Sequence, residues 1–254
     1  MAEVKGYLKP VLDVLITLLA WLYFFFGYVI LFILVMPWAY SVSRNLEIAV
    51  QRLNHLFYKI FFVLLQAIPG VTLRIPQDID KIRSSVIVCN HASYLDPILL
   101  ISLFEKHKTI VRSDLFRLPI FGQLLKLAGY IPSSAADDTE LILLRALEGM
   151  GDFLAAGGNL FIFPEGTRSL DGTMGPFNKG AFKIARQCRA PIEIFLLKNT
   201  EKLLRPGRFW FNTCVPVAIE VVRIGSLKPD YRSESFSLSG LMEEVRALMQ
   251  TRKG

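Results

Sequence analysis

A chain of 254 residues has the length of one large domain, or of one domain with an appendage. It is 52% hydrophobic with a mean hydropathy of +0.41, high for a water-soluble protein, and much of the excess lies before Gly70, so composition favours membrane association. Cys89, Cys188 and Cys214 lack the spacing of a disulfide framework or a zinc site, which argues against a metal centre and fits a reducing compartment.

The net charge of +7 is concentrated late in the chain, in Lys179, Lys183, Arg186, Arg189, Lys198, Lys202, Arg205 and Arg208, opposed between them only by Glu193 and Glu201. No nucleic-acid-binding motif accompanies them. Beside so apolar an N-terminus, an anionic lipid surface is the better partner. A solvated basic face is the plainer alternative.

In chain order, residues 1–10 are mixed and polar, and Val14 to Met36 then runs without a charge. As a helix that run measures about 35 Å, enough to cross a hydrocarbon core of about 30 Å. It is too long for a cleavable signal peptide and has no small-residue cleavage site after it. Leu46 to Ile68 is a second apolar stretch, carrying Arg52, His55 and Lys59 in its first half and ending at Pro69-Gly70. It suits an interfacial amphipathic helix or the return arm of a re-entrant hairpin. Gly27 would permit a bend in the first run, and flanking basic residues give no clear orientation, so the number of crossings stays open.

From Val71 the pattern becomes α/β. Strands are expected at Val71–Ile75, Val86–Cys89, Thr109–Arg112, Leu160–Phe163, Ile192–Leu197 and within Phe209–Val222. Helices are expected at Ile98–Phe104, Ile120–Leu127, Thr139–Ala155, Ala181–Gln187 and Leu238–Gln250. The alternation predicts a mostly parallel central sheet flanked by helices, preceded by an apolar two-helix membrane element.

Two polar islands follow strand-like runs. Asn90-His91-Ala92-Ser93-Tyr94-Leu95-Asp96 comes after Val86–Cys89, and Phe163-Pro164-Glu165-Gly166-Thr167-Arg168-Ser169 comes after Leu160. Loops at the carboxyl ends of parallel strands are where such sheets bind ligands. A histidine with a carboxylate on its other ring nitrogen can take a proton near neutral pH. The alternative is that Asp96, followed by Pro97, caps the next helix while His91 is an ordinary loop residue. His55 lies in the apolar N-terminal stretch, and His107, in Glu-Lys-His-Lys, reads as a solvated turn. Cys89 lies within a strand, where a buried thiol is an inert apolar residue.

The two islands, in this order and each after a strand, resemble the His-x-x-x-x-Asp block and the second hallmark block of the glycerolipid acyltransferase family, which includes bacterial 1-acylglycerol-3-phosphate acyltransferases. The resemblance covers roughly residues 70–220. It implies that His91 is the general base on an acceptor hydroxyl, held by Asp96, and that Glu165, Gly166, Thr167, Arg168 and Lys179 bind the substrate. It further implies an acyl-CoA or acyl-acyl carrier protein co-substrate with no bound cofactor or metal, and a lysolipid acceptor. Residues 1–70 would anchor the protein in a membrane, the bacterial inner membrane by analogy, with the catalytic domain of residues 71–254 on the cytoplasmic side.

The chain departs from the family pattern twice. Gly129-Tyr130-Ile131-Pro132-Ser133-Ser134 lacks the Arg expected after its glycine and apolar pair, and Glu193-Ile194-Phe195 follows Pro191 where a second proline is expected. Both changes bear on acceptor recognition, leaving other lysophospholipids, lyso-aminolipids or a transacylase reaction as alternatives. A lipid hydrolase would need a nucleophile elbow that the chain does not have. A non-catalytic lipid-binding protein would use the basic face and apolar N-terminus alone.

Overall fold

The computed structural model describes residues 2–31, 33, 36–134, 140–168, 174–213 and 215–253. Among these residues, largely apolar runs form seven strands: β1 (Val71–Arg74), β2 (Val86–Cys89), β3 (His107–Val111), β4 (Ile131–Pro132), β5 (Asn159–Ile162), β6 (Ile192–Lys198) and β7 (Val217–Leu227). They lie in the order β1-β7-β6-β2-β5-β3-β4. Every pairing is parallel except that of β6 with β7. All residues of β2 and β5 are buried, as strands covered on both faces require. The expected mostly parallel α/β architecture is the one observed.

Alternation along each strand divides the core in two. Ile87, Cys89, Phe161 and Phe195 face α3 (Leu46–Gln66), α4 (Leu95–Leu103) and α5 (Phe121–Leu127), which follow α1 (Ala2–Ile30) and α2 (Met36–Val42). Val86, Val88, Leu160, Ile162 and Ile194 face the other layer. That layer comprises α6 (Glu140–Glu148), α7 (Met150–Ala155), α8 (Gly180–Cys188) and, after the single turn α9 (Thr200–Leu203), α10 (Leu238–Lys253). A period of two is what sends neighbouring residues to opposite faces.

Some sequence expectations shift. The helix expected over 139–155 is two helices, parted at Gly149, and Thr139 falls outside the described residues. The last strand begins at Val217, inside the expected Phe209–Val222 region, and runs beyond it to Leu227. His107 is the clearest correction. It is fully buried at the start of β3, with Nδ1 2.6 Å from the Phe104 carbonyl and Nε2 2.6 Å from the Tyr130 hydroxyl. A carbonyl can only accept, so Nδ1 carries the proton and Nε2 accepts from tyrosine.

The apolar N-terminus forms two helices long and apolar enough to cross a membrane, Leu8–Ile30 and Leu46–Gln66. They meet through aromatic rings, Tyr23 on Phe57 and Phe24 on Phe61, each pair with centroids 4.7 Å apart. Gly27 serves this contact, and α1 continues unbroken through it: a Cβ there would sit 2.3 Å from the Phe57 ring. The opposite side of α1, including Leu18, Leu22, Phe25 and Phe26, is exposed. By contrast α3 is locked to the sheet layer by buried polar contacts. Gln51 donates to the Ala128 carbonyl and accepts from the His107 amide, and Glu47 pairs with Lys108 at 2.9 Å.

Helix α1 is also tethered between Asp13 and Trp21. Asp13 accepts from the Thr213 amide and hydroxyl and pairs with Lys9, while the Thr17 hydroxyl accepts from the Phe211 amide. Trp21 stacks on Phe209 at 5.2 Å. Helix α1 is thus fastened to the segment between α9 and β7.

Candidate active site

The apolar strand β2 must surrender its last residues to a loop, and Asn90 fixes where that happens. Its side-chain amide donates to the Leu197 carbonyl at 2.9 Å and accepts from the Leu197 amide at 2.7 Å. This side-chain clamp extends the β2–β6 pairing by one step and aims the next residue, His91, out of the sheet edge.

His91 Nδ1 lies 3.0 Å from Asp96 Oδ2, with side-chain exposures of 12% and 0%. Asp96 stands inside the first turn of α4 and not at its cap, a position held by Tyr94. Its carboxylate instead collects donors from the preceding loop and from across the fold. Oδ2 accepts from the Ala92 amide at 2.6 Å and the Ser93 amide at 2.7 Å, and Oδ1 accepts from the Thr200 hydroxyl at 2.6 Å. Since an ionised carboxylate only accepts, the ring proton of neutral His91 sits on Nδ1 and its lone pair on Nε2. That is the form able to take a proton from a hydroxyl. The His91 ring is further fixed by stacking on Phe163, with centroids 4.2 Å apart.

The second island approaches from the neighbouring strand β5. Glu165 is buried, and its two oxygens accept from the His91 amide at 3.2 Å and the Gly175 amide at 3.0 Å. The structure therefore brings His91, Asp96 and Glu165 into one hydrogen-bonded unit. Arg168 joins its edge, with the guanidinium carbon 3.9 Å from the centre of the exposed Tyr94 ring, a cation–π contact. Gly166 adopts φ +69°, and a Cβ there would meet the Asn178 side chain at 2.7 Å, so the turn admits only glycine without rearrangement. Thr167 and Lys179 are exposed, and Lys179 makes no side-chain hydrogen bond or ion pair among the described residues. Ser169, which closes the block, lies outside the described residues.

Phe163, Thr200 and the Asn90 clamp were not identified as site residues from sequence. Phe163 stands in the second island with nothing local to mark it as a partner of His91, and Thr200 lies 104 residues from Asp96. Cys89 is fully buried, and burial, with the Asp96 charge second, pushes its thiol well above the ordinary range, which removes it as a nucleophile. Cys214 lies outside the described residues. The basic run between 179 and 208 does not form one face. Lys183 and Arg186 lie on α8, whereas Lys198, Lys202, Arg205 and Arg208 line a cavity at the end of β6. Glu193, at the place of the missing proline, is buried and accepts from Arg223 at 2.7 Å and Ser226 at 2.8 Å, an antiparallel cross-strand contact with β7.

A family model described as Acyltransferase matches residues 70–195, which include both islands. Among curated relatives, the 1-acyl-sn-glycerol-3-phosphate acyltransferase BAT2, chloroplastic, of Brassica napus is 36% identical over 52% of this chain and 39% of that protein. The 1-acyl-sn-glycerol-3-phosphate acyltransferase of Saccharomyces cerevisiae is 34% identical over 53% of this chain and 45% of the yeast protein. The match thus spans less than half the length of these relatives. The crystal structure of the 1-acyl-sn-glycerophosphate (LPA) acyltransferase PlsC from Thermotoga maritima has the same fold, with a TM-score of 0.64 and 24% identity over 93% of this chain and 97% of that one. On residues 70–195, with both motif blocks, the chain belongs to the acyltransferase family.

Proposed function

We propose that this protein moves a fatty acyl group from an acyl thioester to the hydroxyl of a lysolipid, 1-acylglycerol-3-phosphate or a related lysophospholipid, at a membrane in phospholipid biosynthesis. The observation that carries the reading is the 3.0 Å contact between His91 Nδ1 and an Asp96 carboxylate occupied on its remaining sides by three other donors. In this reaction His91 Nε2 takes the hydroxyl proton as the oxygen attacks the thioester carbonyl. The carbon–sulfur bond breaks, and the departing thiolate takes the proton back from the imidazolium. Asp96 holds the tautomer and balances the charge that develops on the ring.

Glu165 acts in this scheme mainly by holding the His91 amide, and Gly166 lets backbone approach the acceptor. Arg168 supplies a planar fork for an anionic headgroup, with Lys179 and the Thr167 hydroxyl as further contacts. The Arg missing after Gly129 supports a headgroup broader than glycerol phosphate. Tyr130 points instead into the core, bound to His107. The exposed apolar side of α1 supports a membrane-bound enzyme that meets its lipid acceptor at the interface.

The test is turnover by purified protein over a panel of lysolipids, with acyl-CoA and acyl-carrier-protein donors. A general base contributes ~10²–10⁴-fold to rate, so His91→Ala should lose at least about a hundredfold in product formation. Retention of most activity would remove His91 from this role. Free fatty acid released without an acceptor would identify a hydrolase instead.

A further inference from the structure

A cavity of about 870 Å³ opens at the carboxyl end of β6, and Asn90 and Ala92, the residues on either side of His91, form part of its lining. It lies on the β6 flank of β2, whereas Glu165 and Arg168 approach His91 from β5, on the other flank. The inner wall is apolar, from Leu197, Phe211 and Val215. Its rim is basic. Lys202, Arg205 and Arg208 are exposed there and make no ion pair or side-chain hydrogen bond among the described residues.

The acidic residues in the lining do not neutralise this rim. Asp13 is already engaged by Lys9 and Thr213, which leaves Glu201 as the one lining acid without a recorded contact among the described residues. Unpaired cations gathered over an apolar chamber attract an anion with an uncharged, partly apolar extension. Acyl transfer needs two substrates at His91 at once, and their anionic ends cannot share one basic group.

Resting on the acyl-transfer reading, we infer that this cavity holds the acyl donor. An acyl-phosphopantetheine thioester lies along its apolar wall, and the phosphate end is held by Lys202, Arg205 and Arg208. Coenzyme A and acyl carrier protein both present this chemistry. The donor's carbonyl then reaches His91 from the β6 side as the acceptor's hydroxyl arrives from the β5 side.

The experiment uses the full chain in phosphatidylcholine nanodiscs, comparing wild type with the triple variant Lys202→Glu, Arg205→Glu, Arg208→Glu. Equilibrium binding of coenzyme A and, separately, of holo-acyl carrier protein is measured first. At least one should bind wild type, and the triple variant should bind it tenfold or more weakly; which probe binds identifies the source. In steady state the donor KM should rise about tenfold, with acceptor KM within twofold. Lys228→Glu, a charge reversal at the far end of β7, should change neither, while unchanged thermal unfolding verifies the fold.

Equal binding by wild type and triple variant, failure of wild type to bind either probe, or a rise confined to acceptor KM would each overturn the assignment. Charge-dependent binding by a wild type that transfers no acyl group would instead overturn the acyl-transfer reading and leave the anion site standing.

Discussion

Thr200 shows what a linear reading of the site leaves out. The His91–Asp96 pair was visible because both residues stand in a short polar island at a strand end, and polar residues there have few structural reasons to exist. The Thr200 hydroxyl reaches Asp96 only because β6, at whose end it lies, pairs with β2, and nothing in local sequence specifies that adjacency. Thr200→Val should leave a buried carboxylate oxygen short of a donor, costing roughly 1–3 kcal/mol of stability. We expect about a tenfold fall in kcat with acceptor KM unchanged; full kcat would show that the hydroxyl does not position Asp96. His107 was misread for a related reason. Its charged neighbours suggested solvent, but the ring is sealed beneath α3, and burial lowers its pKa to about 3. An unfolded histidine titrates near 6.5. Below that value the unfolded state therefore binds a proton that the folded state refuses, so this histidine's contribution to stability is lost as pH falls from 6.5 towards 3. Between pH 7 and pH 5 the loss should be about 2 kcal/mol relative to His107→Gln, read from unfolding curves in detergent.

Elements with one dominant pattern were legible, and those set by their neighbours were not. Runs such as Val86–Cys89 and Ile194–Leu197 are apolar throughout because both faces are covered, and that composition marks them as strands before any fold is known. The two-residue β4 exists through its pairing with β3 and has no pattern of its own to read. The division at about residue 70 is likewise one of composition, since a single apolar core includes Phe61, Phe62 and Leu65 of α3 together with Leu99, Leu100 and Phe195 of the sheet domain. Asp13, between the polar opening residues and the apolar run, has no pattern of its own to read, yet it fastens α1 to the segment carrying Phe211 and Thr213. Asp13→Ala should release the tether, with a cost of about 2 kcal/mol for charged hydrogen bonds of this kind. Trypsin should then cleave faster after Arg208, since Pro206 protects the bond after Arg205; an unchanged cleavage rate would mean the segment holds its place without α1.

At the scale of the molecule, the free side of α1 exposes large apolar residues, and the basic rim lies close to Asp13 of the same helix. Phe25→Glu with Phe26→Glu should shift the protein from the membrane fraction to the soluble or aggregated fraction in flotation, at about the few kcal/mol that burying two aromatic rings contributes; undiminished flotation would place membrane contact elsewhere. The sheet order has a consequence for how the molecule is made. β1 pairs only with β7, and Arg74 reaches its partner Glu220 across 146 residues of sequence. During synthesis the first strand emerges long before the one that completes it. Closing so long a loop is slow compared with forming helices. The apolar α1 and α3 are therefore complete while the sheet is still unfinished, and a nascent chain stopped before Val217 would leave both β1 and one edge of β6 without partners.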